Sequence, residues 1–388
     1  MTDRPRLLYL ITEDWYFWSH RLDLAQMAVE AGFDVSIATR VTDHGQRILA
    51  SGFRLFPIGL SRKSRNLLAE CASILELVRL YRRERPDIVH HVALKPILYG
   101  SFAAWCAGVP IIINAFAGLG YVFTGAARRG RLLRACLRQA LRAFLRLSRS
   151  VIVFQNRDDR DLLIQERVVE MEQTRIIPGS GVDTKTFDLG PPSTGVPIVM
   201  LASRMLWDKG VEDFVEAARR LKLNGVLGRY VLVGRCDEHN PAAIPPGQLE
   251  RWTGEGIVEW WSHRDDMPST LALASIVVLP SYREGLPKVL MEAAACGKPL
   301  VATDVPGCRE IVRHGVNGFL VQPRDPAALA AAIDSLLRDP SRRLSMGLAG
   351  REAVIRHFSV EQVAGQVIDL YRELLQKEGH KPQLFGAT

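Results

Sequence analysis

The segment with the clearest chemical signal is PSYREGLPKVLMEAAACGKPLVATDVPG, residues 280–307, which follows a short apolar run. The apolar run predicts a buried strand, and Pro287 suits the first position of a helix that begins after a Gly-containing loop. The N-terminal end of a helix carries about half a positive charge and binds phosphate readily. The segment therefore predicts an anion site with backbone amides from Gly285, Leu286, Lys288 and Val289.

Two carboxylates, Glu284 and Glu292, flank this anion site, with seven residues between them. A carboxylate beside a phosphate is unfavourable unless it binds another part of the ligand. Adjacent hydroxyl groups of a sugar are suitable partners, because a carboxylate accepts hydrogen bonds from both of them. The pattern therefore indicates a ligand that carries both phosphate and sugar.

A second signal is LASRMLWDKGVEDF, residues 201–214, where a predicted strand ends and a helix begins near Val211. The loop between them carries Arg204 and Lys209. Two cations on a strand-to-helix loop can neutralise a diphosphate leaving group as it departs. Such a loop alone is also compatible with a solvated surface, but the two carboxylates of residues 280–307 favour a phosphate site that both segments share.

Short β-branched segments alternate with helical patterns along the chain, which is typical of βαβ units around parallel sheets. We expect an α/β protein with two Rossmann-like domains that face each other, and with ligands at the carboxyl ends of the strands. The Pro- and Gly-rich stretch Asp188–Pro197 is the expected linker. It separates residues 1–188 from residues 189–358, and a final helix within 359–388 is expected to pack back on the first domain.

The strands expected in the first half are Arg6–Thr12, Asp34–Thr39, Arg54–Ile58, Asp87–Val92, Val109–Asn114, Ser150–Phe154 and Arg175–Pro178. Those expected in the second half are Ile198–Ser203, Tyr230–Gly234, Ile257–Trp260, Ile276–Pro280, Pro299–Thr303 and Gly318–Val321.

The first half of the chain is basic. Residues 1–185 hold 27 Lys and Arg against 18 Asp and Glu, a net charge of +9, whereas the remainder has a net charge of −1. Residues 126–150 contain eight arginines and no acid. We interpret them either as an amphipathic helix docked on the sheet with a solvated face, or as an interfacial helix on anionic lipid. Four arginines form one stripe on this helix: Arg134, Arg138, Arg142 and Arg146.

Several classes of protein are disfavoured. The six cysteines lack metal-like spacing, and the acids of residues 159–161 open a helix, where they favour the N-terminal dipole. The 32 uncharged residues 96–127 are interrupted by Pro and Gly, so a membrane-spanning helix is not expected. A net charge of +8 is the only feature in favour of nucleic-acid binding, and no binding motif accompanies it. We therefore expect no metal, no other cofactor and no nucleic-acid partner.

The second half resembles the donor-binding domain of family-4 retaining glycosyltransferases of the GT-B fold. The resemblance rests on the loop with Arg204 and Lys209, on PSYREGLPKVLMEAAACGKPLVAT, and on VPGCREIVRHGVNGFLV, residues 305–321. It extends over nearly the whole chain and is most specific from residue 280 to 321. The family fold implies two facing Rossmann-like domains with a cleft between them, the second of which binds a nucleotide-sugar donor.

Position by position, the resemblance implies that Arg204 and Lys209 bind the diphosphate. It implies that Glu284 binds the transferred sugar and that Glu292 binds the ribose hydroxyls. The segment beside the phosphate and the sugar would be Gly285, Leu286, Pro287 and Lys288. The residues expected beside the nucleotide base are Arg235, His263 and Arg264, although GRCDEHN, residues 234–240, stands where the family often has a second glycine.

The first half departs from the family pattern. Trp15 and Tyr16 stand where many members have a Gly-Gly loop, and Ala117 precedes Gly118 where the family often has His-Gly. A catalytic histidine is thus absent there, but in a retaining mechanism the leaving phosphate can itself take the proton of the acceptor. Of His90 and His91, we expect one to pack in its strand and the other to face the acceptor. The acceptor-side candidates are His20, His91, Lys95 and Gly118.

WYFWSH, residues 15–20, and HHVALKPILYGS and NAFAGLGYVF further along resemble bacterial polysaccharide and O-antigen transferases. This resemblance implies transfer of an N-acetylhexosamine from a UDP-sugar to a saccharide on undecaprenyl diphosphate. The enzyme would be metal-independent and would associate peripherally with the inner face of the cytoplasmic membrane through the basic helix 126–150. A glycosyltransferase with a soluble acceptor and a nucleotide-sugar 2-epimerase remain as alternatives.

Overall fold

A computed structural model describes residues 4–61, 66–119, 131–148, 150–190, 195–237 and 240–379. The chain forms two compact units, one from Met1–Ser180 and Val363–Thr388 and the other from Gly181–Gln362. Each unit is built around one parallel sheet with helices, so the α/β class and the two Rossmann-like domains are confirmed. The chain first leaves unit 1 at Ser180, upstream of the predicted linker, of which residues 191–194 lie outside the described residues.

Unit 1 contains a seven-stranded sheet of order β3-β2-β1-β4-β5-β6-β7, and its neighbouring strands pair in parallel. Its strands are β1 (Arg6–Glu13), β2 (Asp34–Arg40), β3 (Arg54–Pro57), β4 (Ile88–Val92), β5 (Ile111–Phe116), β6 (Val151–Phe154) and β7 (Thr174–Ile176). Its helices begin with α1 (Asp14–His20), α2 (Leu22–Glu30), α3 (Gly45–Ala50), α4 (Leu67–Glu84), α5 (Leu94–Ala107), α6 (Arg131–Leu147) and α7 (Arg157–Gln165).

Unit 2 contains a six-stranded sheet of order β10-β9-β8-β11-β12-β13, again with parallel neighbours. Its strands are β8 (Ile198–Ala202), β9 (Arg229–Val233), β10 (Glu259–Trp260), β11 (Ile276–Leu279), β12 (Leu300–Thr303) and β13 (Gly318–Val321). Its helices are α8 (Val211–Leu223), α9 (Pro246–Gly254), α10 (Met267–Ala272), α11 (Lys288–Ala295), α12 (Pro306–Ile311), α13 (Pro326–Arg338) and α14 (Pro340–His357).

Both sheets are covered on both faces, as parallel sheets generally are. In β1, Tyr9 and Ile11 belong to one core cluster while Leu8 and Leu10 belong to another. The same alternation occurs in β8. Successive side chains of a strand point to opposite faces, so a continuous apolar run is what a strand buried on both sides requires.

The last helix, α15 (Val360–Lys377), returns to unit 1. The Ser359 hydroxyl accepts a hydrogen bond from the backbone N–H of Gln362 at 3.3 Å, which stabilises the start of the helix. Val363, Val367 and Tyr371 are buried in the core cluster that contains β1. Within the described residues, no helix combines the length and the apolar character that crossing a bilayer requires.

Candidate active site

The predicted donor residues follow two strands that are neighbours in the second sheet. In this sheet β8 and β11 lie side by side, with β9 and β10 on the far side of β8 and β12 and β13 on the far side of β11. Open α/β sheets bind ligands at the carboxyl ends of the strands at such a switch point. Arg204 and Lys209 follow β8, and Glu284 and Lys288 follow β11. The topology therefore brings the two sequence signals to one edge of unit 2.

Lys209 and Glu284 form an ion pair across this switch point. The ammonium Nζ of Lys209 lies 2.5 Å from Oε1 of Glu284, and the two side chains are 21% and 10% exposed. The Ser281 hydroxyl donates to the same carboxylate oxygen at 2.6 Å. A partly buried pair is screened less by salt than a surface pair. The site therefore holds the Lys209 ammonium and the Glu284 carboxylate at ion-pair distance from each other.

The loops after β8 and β11 are also joined through their backbones. The backbone N–H of Tyr282 donates to the carbonyl of Asp208 at 3.0 Å. Gly210 has a φ of 67°, and a Cβ atom at this position would lie 2.0 Å from the carbonyl oxygen of Pro280. Only glycine allows this close approach of two backbones. The segment DKG, residues 208–210, therefore supports the loop after β11 that carries Glu284, which we call the donor loop.

The loop after β12 contacts the donor loop from another side. The backbone N–H of Gly307 donates to the carbonyl of Glu284 at 3.2 Å, and a Cβ atom on Gly307 would lie 2.5 Å from the carbonyl oxygen of Gly285. The Thr303 hydroxyl donates to the carbonyl of Ser281. Through these contacts the segment after β12 supports the loop that holds Glu284.

Helix α11 begins one residue later than the sequence indicated, with Pro287 as the residue before its first turn. Glu292 lies one turn into the helix, and its carboxylate Oε1 is 3.6 Å from Nζ of Lys288. The Glu292 side chain is 12% exposed. Burial raises the pKa of this carboxyl, and the nearby charge of Lys288 opposes the rise. A carboxylate that is largely removed from water, with one cation at 3.6 Å, is a costly group for stability alone.

Arg204 has a partner that the sequence did not suggest. Its guanidinium donates to Oδ2 of Asp237 at 2.9 Å, and its side chain is 43% exposed. Asp237 lies in the loop after β9, whose backbone is tied to the loop of Arg204 by a hydrogen bond from Met205 to Arg235. The signal that could have revealed Asp237 is an acid at the carboxyl end of the strand next to β8.

The residues expected beside a nucleotide base lie in the loops after β9 and β10. The backbone N–H of Gly234 donates to the carbonyl of Ser262 at 2.7 Å and joins these loops. Arg235 is exposed, and the guanidinium of Arg264 lies 5.6 Å from the ring centroid of Trp261. Both arginines are thus at the same sheet edge as Arg204, in the direction of the outer strand β10.

The prediction that His91 faces the acceptor is wrong, because the structure buries both histidines of β4. Nδ1 of His91 lies 2.8 Å from Oδ1 of Asn114, and Nε2 lies 3.1 Å from the hydroxyl of Tyr81. Burial lowers the pKa of His91 to about 4. His90 contacts the hydroxyl of Tyr371 on α15 at 2.6 Å. Both rings therefore pack inside unit 1.

The other acceptor-side candidates lie at three places in unit 1. His20 ends α1, and its ring stacks on Tyr16 at 4.3 Å. Lys95 donates to Oε1 of Glu70 at 2.7 Å and to the carbonyl of Ser61 at 2.8 Å. The carboxylate of Glu70 therefore neutralises the charge of Lys95 within unit 1. Gly118 follows β5 with a φ of 106°.

Two features at the carboxyl edge of the first sheet were missed by sequence reasoning. The Asp14 carboxylate is fully buried and accepts from the backbone N–H groups of Thr42 at 2.6 Å and of His44 at 2.9 Å. Burial raises the pKa of this carboxyl, but a hydrogen bond from the Thr42 hydroxyl and these backbone bonds lower it further and hold it below the usual value. Ala93, after β4, has a φ of 76°, which is rare for a residue with a side chain. Since β1 and β4 are neighbours in the sheet, both features lie at its switch point.

The basic helix is docked on unit 1. Leu141 and Leu145 are buried in the cluster that contains Phe116 and Phe154. The arginine stripe contacts the segment after α7. Arg138 pairs with Glu166, Arg142 donates to the carbonyl of Arg167 at 2.6 Å, and Arg146 lies 3.7 Å from Glu170. The side chain of Arg134 and residues 126–130 lie outside what the structure describes. The other three arginines thus make contacts within unit 1.

The acids of residues 159–161 have partners of their own. Asp159 is buried and accepts from the backbone N–H of Leu119 at 3.2 Å, whereas Asp161 pairs with Arg160 at 2.8 Å. In the part of the chain that the structure describes, no three His, Cys, Asp or Glu side chains come together as metal ligands.

Two family models match the chain. "Glycosyl transferase 4-like" matches residues 6–156, and "Glycosyl transferases group 1" matches residues 196–339. One relative is an N,N'-diacetylbacillosaminyl-diphospho-undecaprenol alpha-1,3-N-acetylgalactosaminyltransferase of Campylobacter jejuni, 25% identical over 88% of this chain and 92% of the relative. Another is a UDP-Gal:alpha-D-GlcNAc-diphosphoundecaprenol alpha-1,3-galactosyltransferase of Escherichia coli, 23% identical over 88% of this chain and 90% of the relative.

Among solved structures, a sucrose-phosphate synthase of Thermosynechococcus elongatus is similar with a TM-score of 0.78. It is 22% identical, and the match covers 96% of this chain and all of the other. This likeness shows the GT-B fold. The family models and the two relatives show the enzyme class. The chain therefore belongs to the glycosyltransferases, with a glycosyl transferase 4-like domain followed by a glycosyl transferases group 1 domain.

Proposed function

We propose that this glycosyltransferase moves an N-acetylhexosamine, with retention of configuration, from a UDP-sugar to a saccharide on undecaprenyl diphosphate during bacterial surface polysaccharide synthesis. The observation that carries the donor half is the Lys209–Glu284 pair across the switch point of unit 2, beside the start of α11. The acceptor half is supported by the two relatives, whose names specify saccharides linked to undecaprenyl diphosphate.

In this proposal, Arg204 and Lys209 bind the diphosphate and stabilise its charge as it leaves. Both described contacts of the Glu284 carboxylate are made by Oε1, so Oε2 can accept hydrogen bonds from sugar hydroxyls. Glu292 binds the ribose. The phosphates and the sugar lie against Gly285, Leu286, Pro287 and Lys288, and the base lies near Arg235 and Arg264.

The transfer forms a bond from the acceptor oxygen to the anomeric carbon and breaks the bond from that carbon to the diphosphate. The leaving diphosphate takes the proton of the acceptor hydroxyl, so the step needs no protein base. The cations Arg204 and Lys209 offset charge that a metal ion offsets in metal-dependent transferases. We therefore propose a metal-independent reaction.

On the acceptor side, the first sheet has its own switch point between β1 and β4. His20 lies on the helix after β1, and Gly118 lies on the loop after β5. We propose that the acceptor saccharide binds at this edge of unit 1. The lipid would be met at the inner face of the cytoplasmic membrane, where residues 126–150 contact anionic headgroups.

An assay of UDP- and GDP-sugars with membrane-extracted lipid acceptor tests this proposal. We expect product with a UDP-N-acetylhexosamine, an α-linkage from an α-linked donor, and unchanged turnover after EDTA treatment. Loss of turnover with EDTA and recovery with magnesium or manganese would contradict the metal-independent step.

The same assay separates the alternatives. Conversion of the UDP-sugar to its epimer in the absence of any acceptor identifies a 2-epimerase. Transfer to a free saccharide that equals transfer to the lipid-linked one identifies a transferase with a soluble acceptor. Inversion at the anomeric carbon would overturn the retaining mechanism.

Membrane contact predicts a dependence on lipid charge. We expect the protein to co-sediment with vesicles that contain anionic lipid, to bind neutral vesicles weakly, and to be released by high salt, because salt screens exposed charges beyond about 8–10 Å. Replacing the stripe arginines with Gln should weaken binding and lower activity on the lipid acceptor. Slow hydrolysis of the sugar nucleotide should not change. The four positions are Arg134, Arg138, Arg142 and Arg146.

A matched control removes four paired surface arginines from unit 2: Arg219, Arg220, Arg338 and Arg356. This variant has the same net charge as the stripe variant and should keep vesicle binding. Equal sedimentation of the stripe variant and the wild type would show that the stripe serves only to dock α6 on unit 1.

A further inference from the structure

Two side chains beside the loops that hold Lys209 and Glu284 have no role in the proposed reaction. They are Tyr282 after β11 and Arg324 after β13, and we refer to them as the loop clamp. The guanidinium of Arg324 lies over the ring of Tyr282, with Cζ 4.8 Å from the ring centroid. A cation this close to an aromatic face is attracted by the ring. The contact joins the loops that follow two strands of the second sheet.

Arg324 adopts a backbone conformation that is unusual for its residue type. Its φ is 63°, in the left-handed region that glycine prefers. Residues with a side chain keep such a conformation only where the surrounding structure enforces it, and they concentrate at functional sites. With this backbone conformation the Arg324 guanidinium lies over the ring of Tyr282, which is two residues before Glu284.

The loop clamp is connected to both loops of the Lys209–Glu284 pair. The backbone N–H of Tyr282 donates to the carbonyl of Asp208, the residue before Lys209. Tyr282 itself lies on the loop that holds Glu284. A displacement of either loop would therefore change the distance between the Lys209 ammonium and the Glu284 carboxylate, which is 2.5 Å in the structure.

We propose that Tyr282 and Arg324 are positioning residues, which hold the loops after β8, β11 and β13 together so that Lys209 and Glu284 keep the geometry that sugar transfer needs. This inference rests on the proposed function of the donor site. Neither of the two side chains needs to touch the donor. Their effect on turnover comes from placement, since a misplacement of about 1 Å can cost about 100-fold in rate.

A double-mutant cycle on the Arg324–Tyr282 contact tests the proposal. Arg324→Gly removes the guanidinium and suits the positive φ, and Tyr282→Leu removes the aromatic ring. We expect each variant to lower kcat about 10-fold, with the donor KM changed less than about 3-fold, and the double variant to lower kcat by about the same 10-fold, because residues in contact do not contribute additively. Tyr282→Phe keeps the ring under Arg324 and should retain most of the activity that Tyr282→Leu loses.

The control is a contact of the same kind elsewhere in unit 2. The guanidinium of Arg342 lies 4.7 Å from the ring centroid of Phe319, away from the loops of Lys209 and Glu284. Arg342→Ala and Phe319→Leu should leave kcat within about 2-fold of the wild type, since the contact orders no predicted donor residue. The Tm of every variant is measured so that a loss of folding is recognised.

The outcomes separate the loop clamp from the proposed function. If Lys209→Ala abolishes turnover but the Arg324 and Tyr282 variants behave like the wild type, the positioning role is wrong and the donor site stands. Multiplicative losses in the double variant would also overturn the coupling. If Lys209→Ala has wild-type activity, the donor site itself is wrong.

Discussion

Lys209→Ala should lower kcat by about 100-fold or more, the scale of losing one group that stabilises charge in the transition state. The lysine is the cation nearest to the Glu284 carboxylate, and it follows β8 at the switch point of unit 2. Negative charge develops on the diphosphate as the bond to the sugar breaks. A cation that is already held in place stabilises that charge without reorganisation. The measurement is single-turnover transfer at saturating donor.

The substitution also affects folding, and the effect can be separated. The Glu284 side chain, which is 10% exposed in the wild type, loses its cation in this variant, and this costs stability. The double variant Lys209→Ala with Glu284→Gln removes the unpaired charge, so its Tm should recover, whereas turnover should stay low because both residues belong to the proposed donor site. Recovery of both Tm and turnover would contradict the assignment of Lys209 and Glu284 to that site.

A matched control in the same unit is the surface pair of Arg229 and Glu259, whose closest atoms lie 2.7 Å apart. Arg229→Ala removes one cation from an ion pair whose distance is similar to that of Lys209 and Glu284. Arg229, however, lies at the amino end of β9 rather than in a loop at the carboxyl edge of the sheet. Turnover should stay within about 2-fold of the wild type, since exposed pairs contribute little to stability. A large loss here would show that the assay responds to any broken pair.

The strands could be predicted because parallel strands buried on both faces are continuous apolar runs. IVMLA of β8 and IVVL of β11 can be read directly from the sequence. Some strand ends differ from the prediction, and the differences have physical causes. The predicted strand Val109–Asn114 begins at Ile111 instead, after Pro110, which has no N–H to donate to a neighbouring strand.

The donor residues could be predicted because their spacing reflects local structure. A helix start after a strand determines where amides and carboxylates lie, and both lie within one segment of the chain. The partners of these residues come from distant segments. Asp237 beside Arg204 and Arg324 beside Tyr282 follow other strands of the same sheet. No local pattern specifies which charged residue of a loop will meet another.

Burial of polar residues inside a strand was equally hard to predict. His91 lies in β4, and its ring contacts Tyr81 and Asn114, which are 10 and 23 residues away. Alternation along a strand indicates two faces but does not show which polar side chain has an internal partner. The acceptor side of this enzyme therefore could not be predicted from β4, and the loops after β1 and β5 remain its candidates.

Glu292→Gln should lower kcat/KM for the donor by about 100-fold, because two charge-assisted hydrogen bonds to ribose hydroxyls are worth about 1.5–3 kcal/mol each. Glu292→Ala should lose at least as much. The donor concentration dependence is the measurement, since a contact to ribose acts on donor binding more than on the chemical step. An unchanged kcat/KM in a folded variant would remove Glu292 from the donor site.

The same substitution should increase stability. The Glu292 carboxyl has a pKa raised by burial, with only the ammonium of Lys288 at 3.6 Å to oppose the rise. A carboxyl whose pKa is higher in the folded chain than in the unfolded chain destabilises the fold at pH values above the folded pKa. Gln has nearly the same shape and no charge, so the cost of burying the charge disappears. Lys288 is 26% exposed and remains hydrated.

We therefore expect Glu292→Gln to have a higher Tm than the wild type at pH 7–8. The difference in Tm between this variant and the wild type should shrink as the pH falls toward 4.5, the usual pKa of a Glu carboxyl. Glu292 of the folded wild type is then protonated and no longer carries a charge. A structural role predicts the opposite sign, a lower Tm at every pH. A variant that is more stable and less active would show that this buried carboxylate is retained for the ligand and at a cost to the fold.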